Sequence, residues 1–465
     1  MSQRSERPIQ KARTRTRTWF RVHSFTGVIT GLLLFVICWS GTFAVIANEI
    51  DWLITPALRV EPQDHRASWA EINAAAEVAA PGATVNSISA PLYHRSAAIV
   101  RMTRTGGGDG AWVFVDPFTA EVTGVANGMT VQRFFRDFHR RLFFPNPWGI
   151  YVVSLLSVSM LMSLVAALYF YKRWWRRFFQ FKSGGGRSLW SQLHKIVGLW
   201  SIWFVIVIGL TGVWYLFENA RTHVGDGKDA YAGEPSYAIR AVPRPTSARG
   251  LPTLPLSTLL EQVRQRRGDI DIQTIRQGRD GRLYVDGQAG HLLVRDRANQ
   301  LYLDARTGDV LYDQRASDLP LYWRWSDTAD PLHFGDFGGL VSKLIWFVFG
   351  LALSGLILTG TYLHARRLAR DVGSRHTRMP GVLAACFVSI MVLGGSVPFG
   401  LDLARSYGPV VDNIRRLPTV APGIQLVIFV WVIATLAIIA AWVFMLWRPQ
   451  VVVPARVPSG AGQTK

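Results

Sequence analysis

Ten histidines are spread over the 465 residues of this chain, and two of them open copies of the same pattern. HSFTGVITGLLLFVICWSGTF runs from His23 to Phe43, and HKIVGLWSIWFVIVIGLTGVW from His194 to Trp214. In each copy a glycine follows the histidine by four residues (Gly27, Gly198), and a hydroxyl–glycine pair closes the run (Ser40-Gly41, Thr211-Gly212). Two further histidines, in FFRDFHRRLFFPNPWG (His139) and DPLHFGDFGGLVSK (His333), stand just before long apolar segments. Metal-binding side chains at the ends of membrane spans are costly to keep, and a repeat in register argues against accident.

Imidazoles set singly on four helix ends suit one chemistry best: two imidazoles on facing helices gripping the iron of a b-type haem. A span of about 20 residues covers some 30 Å, so an inner and an outer histidine cannot share a small centre. The expected pairs are His23 with His194 and His139 with His333, holding two non-covalent b-type haems. Gly27 and Gly198 lie on the face of their histidine, one turn on, and would leave clearance for a flat macrocycle. Close helix–helix approach is the alternative for Gly27-x-x-x-Gly31, and interfacial hydrogen bonding is the alternative for the histidines. His364 is a competing inner ligand without a partner in the repeat. Asp137, Asp330 and Asp336 either orient the outer imidazoles or serve as interfacial polar residues. A zinc site would need three or four close ligands. His65, His94, His223, His291 and His376 read as surface residues. Cys38 and Cys386 fall inside spans, which leaves no disulfide framework, iron–sulfur site or CxxCH attachment.

The elements that must carry these residues are membrane spans. Half of the chain is hydrophobic, with 18 Trp, and six stretches are long and apolar enough to cross a bilayer: Val22–Asn48, Leu142–Tyr171, Ile196–Phe217, Leu344–Leu363, Met379–Leu401 and Leu417–Trp447. Of the 51 basic and 31 acidic residues, the segments 1–21, 172–195, 364–378 and 448–465 hold 22 and 2. That face is expected to be cytoplasmic, with both termini on it. The net charge of +20 then reflects topology and contact with anionic headgroups, not nucleic-acid binding. The basic start of the chain reads as an uncleaved anchor, its apolar run being too long for a signal peptide.

Between the spans lie outer loops of about 49–138 and 218–338. Each has a helix-like stretch (Ser68–Ala80, Leu256–Arg267), and then WVFVDPFTAEVTG (112–124) or LYLDARTGDVLY (301–312), which read as strand, Asp-initiated turn, strand. The fold class is therefore an α-helical polytopic membrane protein of about six spans with two small outer α+β modules. Its core is duplicated, with repeats at 22–171 and 196–363 and two further spans within 379–447. Gly184–Gly186 reads as a flexible join between the halves, since no Lys-Ser/Thr follows as a phosphate loop requires. No dinucleotide fingerprint or HExxH is present.

These residues resemble the PepSY-associated transmembrane family over about 17–372. The resemblance rests on His23-x-x-x-Gly27 with Ser40-Gly41, FHRRLFF around His139, His194-x-x-x-Gly198 with Thr211-Gly212, and Asp330-Pro331-Leu332-His333-Phe334-Gly335. VDPFTAEVTG and LDARTGDVLY are similar to the PepSY turn, with Ala120 where the second copy has Gly308. The resemblance implies periplasmic PepSY-like modules in a bacterial inner-membrane protein, two b haems, and reduction of a ferric siderophore or related iron chelate in the periplasm. The electron donor would be a quinol or a cytosolic flavoprotein. The rival readings are a non-redox receptor or regulator, and a siderophore or iron transporter, which would favour broken helices near the bilayer midplane. The last two spans lie outside the resemblance.

Overall fold

The computed structural model describes residues 3–104, 110–180, 187–224, 242–243, 245, 252–278, 280–291, 293–368, 380–412 and 414–447. Gly184–Gly186, His376, most of the 364–378 loop, the 448–465 tail and much of 225–251 lie outside them. The chain starts with helices α1 (Gln3–Ile29), α2 (Gly31–Val45), α3 (Ala47–Ile54) and α4 (Trp69–Ala79). Strands β1 (Ala83–Ser89), β2 (Ala98–Arg104), β3 (Ala111–Val115) and β4 (Val122–Ala126) follow, then α5 (Val131–Arg141) and α6 (Trp148–Phe170). The second half repeats this order. Helices α7 (Arg187–Trp200), α8 (Ile202–Val224) and α9 (Leu256–Arg266) precede β5 (Asp271–Gln277), β6 (Arg282–Gln288), β7 (Gln300–Asp304) and β8 (Val310–Gln314). Helices α10 (Leu321–Phe334) and α11 (Gly339–Leu368) close the repeat, and α12 (Pro380–Arg405) and α13 (Pro422–Trp447) end the described chain.

Helices α6, α8, α11, α12 and α13 are each long and apolar enough to span a membrane, and the bent pair α1–α2 makes a sixth. The first span, expected over Val22–Asn48, is broken: its two parts meet at 67°. The hinge, Thr30, donates its hydroxyl back to Thr26 O at 2.8 Å; Thr26 does the same to Val22 O at 2.9 Å, and such back-bonding bends helices. The third span is interrupted at Ser201. Both breaks fall seven residues after the repeat histidine. The second span starts at Trp148 instead of Leu142, because Leu142 and Phe143 take left-handed backbone (φ 49 and 60) and turn the chain.

The two expected outer modules form one antiparallel sheet of eight strands, in the order β4-β3-β2-β1-β5-β6-β7-β8. The halves join where β1 pairs with β5, with Ile88 opposite Ile275. Alternation along each strand sends Val100, Val113, Ile275, Leu283 and Leu301 to one face. There they pack under Ile72 and Ala76 of α4 and Leu259 and Val263 of α9. Helix α4 starts with a complete capping box, Ser68 with Glu71. On the other face, Phe114 packs with Val60, and Ala57 and Leu58 close around them, turning this face towards α5 and the bundle.

The Asp-initiated turns repeat in detail. Asp116 Oδ1 accepts from Phe118 N at 2.8 Å and Asp304 Oδ1 from Arg306 N at 2.9 Å. Four residues on from each Asp, the chain is left-handed at Ala120 (φ 59) and Gly308 (φ 81). That conformation costs a side chain about 1–2 kcal/mol, partly offset by the freedom glycine adds to the unfolded chain. Ala120→Gly is expected to stabilise the sheet by roughly 0.5–1 kcal/mol, read as a higher thermal midpoint. A lowered midpoint would show that no strain resides there.

A candidate paired-histidine centre

Helix α5 is held at its start by a buried carboxylate. Asp51 on α3 accepts from Val131 N and Gln132 N, both at 2.8 Å, satisfying two of the four orphan donors at a helix N-terminus. Phe134, Phe135 and Phe138 pack against Trp431 of α13, so α5 is wedged between the repeat and the last span. Asp51→Ala is expected to cost about 1–3 kcal/mol by stranding two buried N–H groups and to speed amide hydrogen exchange across α5. Unchanged exchange there would remove Asp51 as its anchor.

The anchored helix brings His139 onto α2, where Nδ1 lies 2.9 Å from Ile37 O. A carbonyl only accepts, so Nδ1 carries the proton and Nε2 keeps its lone pair. His333, on α10, has Nδ1 2.8 Å from Thr211 Oγ1. That hydroxyl donates to Val207 O at 2.7 Å, so it accepts from the imidazole. At the other end of the bundle, His23 Nδ1 lies 2.9 Å from Ser163 O and 2.8 Å from Ser163 Oγ, and the carbonyl, which only accepts, places the proton on Nδ1. His194 Nδ1 lies 3.0 Å from Thr359 Oγ1, a hydroxyl that donates to Gly355 O at 2.8 Å. Each of the four Nδ1 atoms thus has an acceptor beside it, an arrangement that favours the proton on Nδ1 and leaves Nε2 available as a metal ligand.

The rings meet in the pairs the sequence suggests. His23 and His194 have centroids 6.4 Å apart, and His139 and His333 6.1 Å apart. Two imidazoles bound on opposite sides of one metal at about 2 Å each would have centroids roughly 6.3 Å apart. The layers are closer than the full span length suggests. Ser163 and Ser157 on α6 are six residues apart, and Thr359 and Gly350 on α11 nine. Ser157 packs at Gly212, beside the His333 bond, and Thr42 at Gly350. At 1.5 Å per residue the layers lie roughly 9–14 Å apart along the bundle, because α5 and α10 reach down into it.

The sheet-side pair opens into a cavity of about 550 Å³, a size usual for cofactor sites. Its bundle side is apolar (Leu34, Met160, Phe204, Trp346), and arginines stand among its polar lining (Arg136, Arg140, Arg295). The wall is tight at Gly41, where a Cβ would come within 2.5 Å of the His139 ring. Beside the other pair the space is open: among the described residues a Cβ at Gly27 would meet nothing within 4 Å, and one at Gly198 only Leu356 Cδ2 at 3.8 Å.

The aspartates do not orient the imidazoles. Asp137 pairs with Arg141 at 3.0 Å, and Asp330 binds Arg295 and Tyr215 OH at 2.5 Å. Burial pushes the Asp330 carboxyl up, but Arg295, Tyr215 and Arg297 more than offset this and hold it below the usual range. Burial raises Asp336 to about 6. His364 lies half-buried five residues beyond Thr359, and among the described residues no hydrogen bond or ring contact joins it to the His23–His194 pair. Sequence reasoning missed the acceptors Ser163 and Thr359, which stand in apolar spans at unequal offsets from the repeat. Ser40, 3.5 Å from His139 Nδ1, and Thr211 were visible as landmarks without a role.

A duplicated bundle of five or six candidate spans under an antiparallel sheet, with paired histidines inside it, defines a polytopic membrane protein. The chain belongs to the family described as the PepSY-associated TM region, whose model matches residues 20–367. That match covers both histidine layers and stops short of α12 and α13. Among curated proteins, none matches the chain.

Proposed function

We propose that this protein is a transmembrane electron conduit with two b-type haem centres, which reduces ferric chelates of the siderophore type at the sheet side of the bundle. The observation that carries the reading is the acceptor beside Nδ1 of each of four histidines, set in two pairs whose ring centroids have the spacing one shared metal would require. The two haems, when bound, supply one-electron exchange at two depths of the membrane. His23 and His194 would hold one, and His139 and His333 the other, with Arg140 on the cavity wall suited to a carboxylate of the second.

The chain's own work is orientation and exclusion. The bonds from Nδ1 to Ile37 O, Thr211, Ser163 and Thr359 fix each ring before a metal arrives and raise its basicity. Apolar walls keep water from the metal-facing nitrogens, and the short interval between layers suits direct tunnelling. The excess of basic residues at the opposite end of the bundle favours a periplasmic sheet in a bacterial inner membrane, with both termini cytoplasmic. Electrons would then come from a quinol or a cytosolic flavoprotein to the His23–His194 layer. On the sheet side, one electron converts the chelated ferric ion to ferrous. Hard oxygen ligands hold ferrous iron less tightly, so the metal is released for uptake.

The test is the visible spectrum of the purified protein, expressed with ample haem, before and after dithionite. Bis-imidazole bands at about two haems per chain are expected, and oxidation by a ferric chelate should reverse the reduced spectrum. A colourless protein would sink the proposal.

A further inference from the structure

The face of the sheet turned to α5 carries an ordered row. Pairing places Trp112 beside Arg101, Arg101 beside Ser87, Ser87 beside Arg276 and Arg276 beside Tyr284. The row is centred on Ser87, on strand β1 at the junction of the halves: an arginine on each side, then an aromatic ring under each arginine. The Arg101 guanidinium lies 4.9 Å from the Trp112 ring centre, and that of Arg276 also 4.9 Å from Tyr284. Neighbouring strands are about 4.8 Å apart, which sets the two arginine backbones roughly 10 Å apart. Such stacking holds each guanidinium over its ring.

Two more arginines face this row from α5. Arg133 is stacked 5.6 Å from Tyr407, in the connection between α12 and α13, and Arg136 stands on the wall of the histidine cavity. Burial, and then the guanidiniums of Arg133, Arg276 and Arg136, pull Arg101 below its ordinary value. Nε of Arg101 and of Arg133 are both buried without a hydrogen-bond partner. Among the described residues Arg101, Arg133 and Arg136 form no ion pair, although Asp137 and Asp330 lie near Arg136. Converging cations that repel one another, two of them with a buried Nε left unused, are the complement of an oxygen-rich anion.

We propose that this cluster docks a compact polyanionic iron chelate, bound through its carboxylate or catecholate oxygens between the arginine row of the sheet and α5. The site deepens the ferric-chelate reading and rests on it for the iron, while its geometry stands apart. Arg136 and His139 are three residues apart on α5 and so share a helix face, which brings a docked chelate to within about one turn of the sheet-side centre. Tyr407 gives the last two spans a part in the site.

The experiment is equilibrium binding of radiolabelled ferric citrate to the full-length protein in phosphatidylcholine nanodiscs, with a neutral ferric trihydroxamate as comparison. Ferric citrate is expected to bind at least about tenfold tighter than the neutral chelate and to weaken steeply with salt. Arg101→Gln and Arg133→Gln should each weaken it about tenfold or more while leaving the visible spectrum unchanged. Indifference to both substitutions, or no preference for the anionic chelate, would overturn the proposal. So would loss of binding in phosphatidylglycerol nanodiscs, which would give the cluster to lipid headgroups. A coloured protein that fails to bind citrate removes the docking site alone; a colourless protein that binds it removes the conduit alone.

Discussion

Replacing His139 with alanine is expected to remove about half of the haem, measured as pyridine haemochrome per chain, and His333→Ala to remove the same half. The expectation follows from the pairing. The two rings lie 6.1 Å apart, so loss of either would leave a haem iron in that layer with one protein ligand. His23→Ala or His194→Ala should empty the other layer. The informative results come from double substitutions. Two within a layer should do no more than one, because they break the same unit, whereas one in each layer should leave almost nothing. Thr211→Val tests the supporting bond. It removes the acceptor for His333 Nδ1 and not the ligand, so haem is retained while the potential of that layer shifts. His364→Ala should change neither layer. If it emptied the His23–His194 layer, His364 would replace one of those two as ligand.

The pairing was legible because it depends on a duplicated local pattern. His-x-x-x-Gly and the hydroxyl–glycine pair recur in register, and the duplicated halves bring equivalent histidines into pairs. Local chemistry also fixed the sheet helices: the stretches read at 68–80 and 256–267 form α4 (Trp69–Ala79) and α9 (Leu256–Arg266), and both Asp-initiated turns form. What escaped depends on contacts remote in sequence. The fusion of two modules into one sheet rests on Ile88 against Ile275, joining residues 187 positions apart, and no periodicity within either module announces it. The hinge at Thr30 arises from hydroxyl back-bonding in a run that hydropathy reads as uniform. The descent of α5 into the bundle needs Asp51 at its start and Trp431 of α13 along its side. Neither residue carries a signal of that role in the sequence. The aspartates flanking the histidines misled for a related reason: nearness in sequence does not settle which acceptor a ring finds, and the backbone and hydroxyls of neighbouring spans were closer.

The sheet has its own point of failure, at a residue far from any histidine. Arg267 follows α9 with its side chain fully buried. Its guanidinium donates to Asp313 Oδ1 at 2.6 Å, Gln314 O at 2.9 Å and Asp269 Oδ1 at 2.8 Å. These bonds clamp the end of α9 to β8, the strand that leads into α10 and His333. Removing one member of such a buried ionic group costs about 3–5 kcal/mol, because the remaining charge loses its partner. Arg266, 3.3 Å from Asp313, and Arg315, 3.8 Å from Asp269, soften the loss only in part, since both are largely exposed and neither bonds Gln314 O. Arg267→Met is therefore expected to lower the thermal stability of the sheet by about 3–5 kcal/mol, with faster amide exchange in β8 and at the start of α10. Arg267→Lys should recover little, because an ammonium cannot fork between two carboxylates and a carbonyl. If α10 is held in place by this clamp, haem should be lost from the His139–His333 layer before the His23–His194 layer as Arg267→Met is warmed. Simultaneous loss from both layers would mean that the bundle holds α10 without help from the sheet.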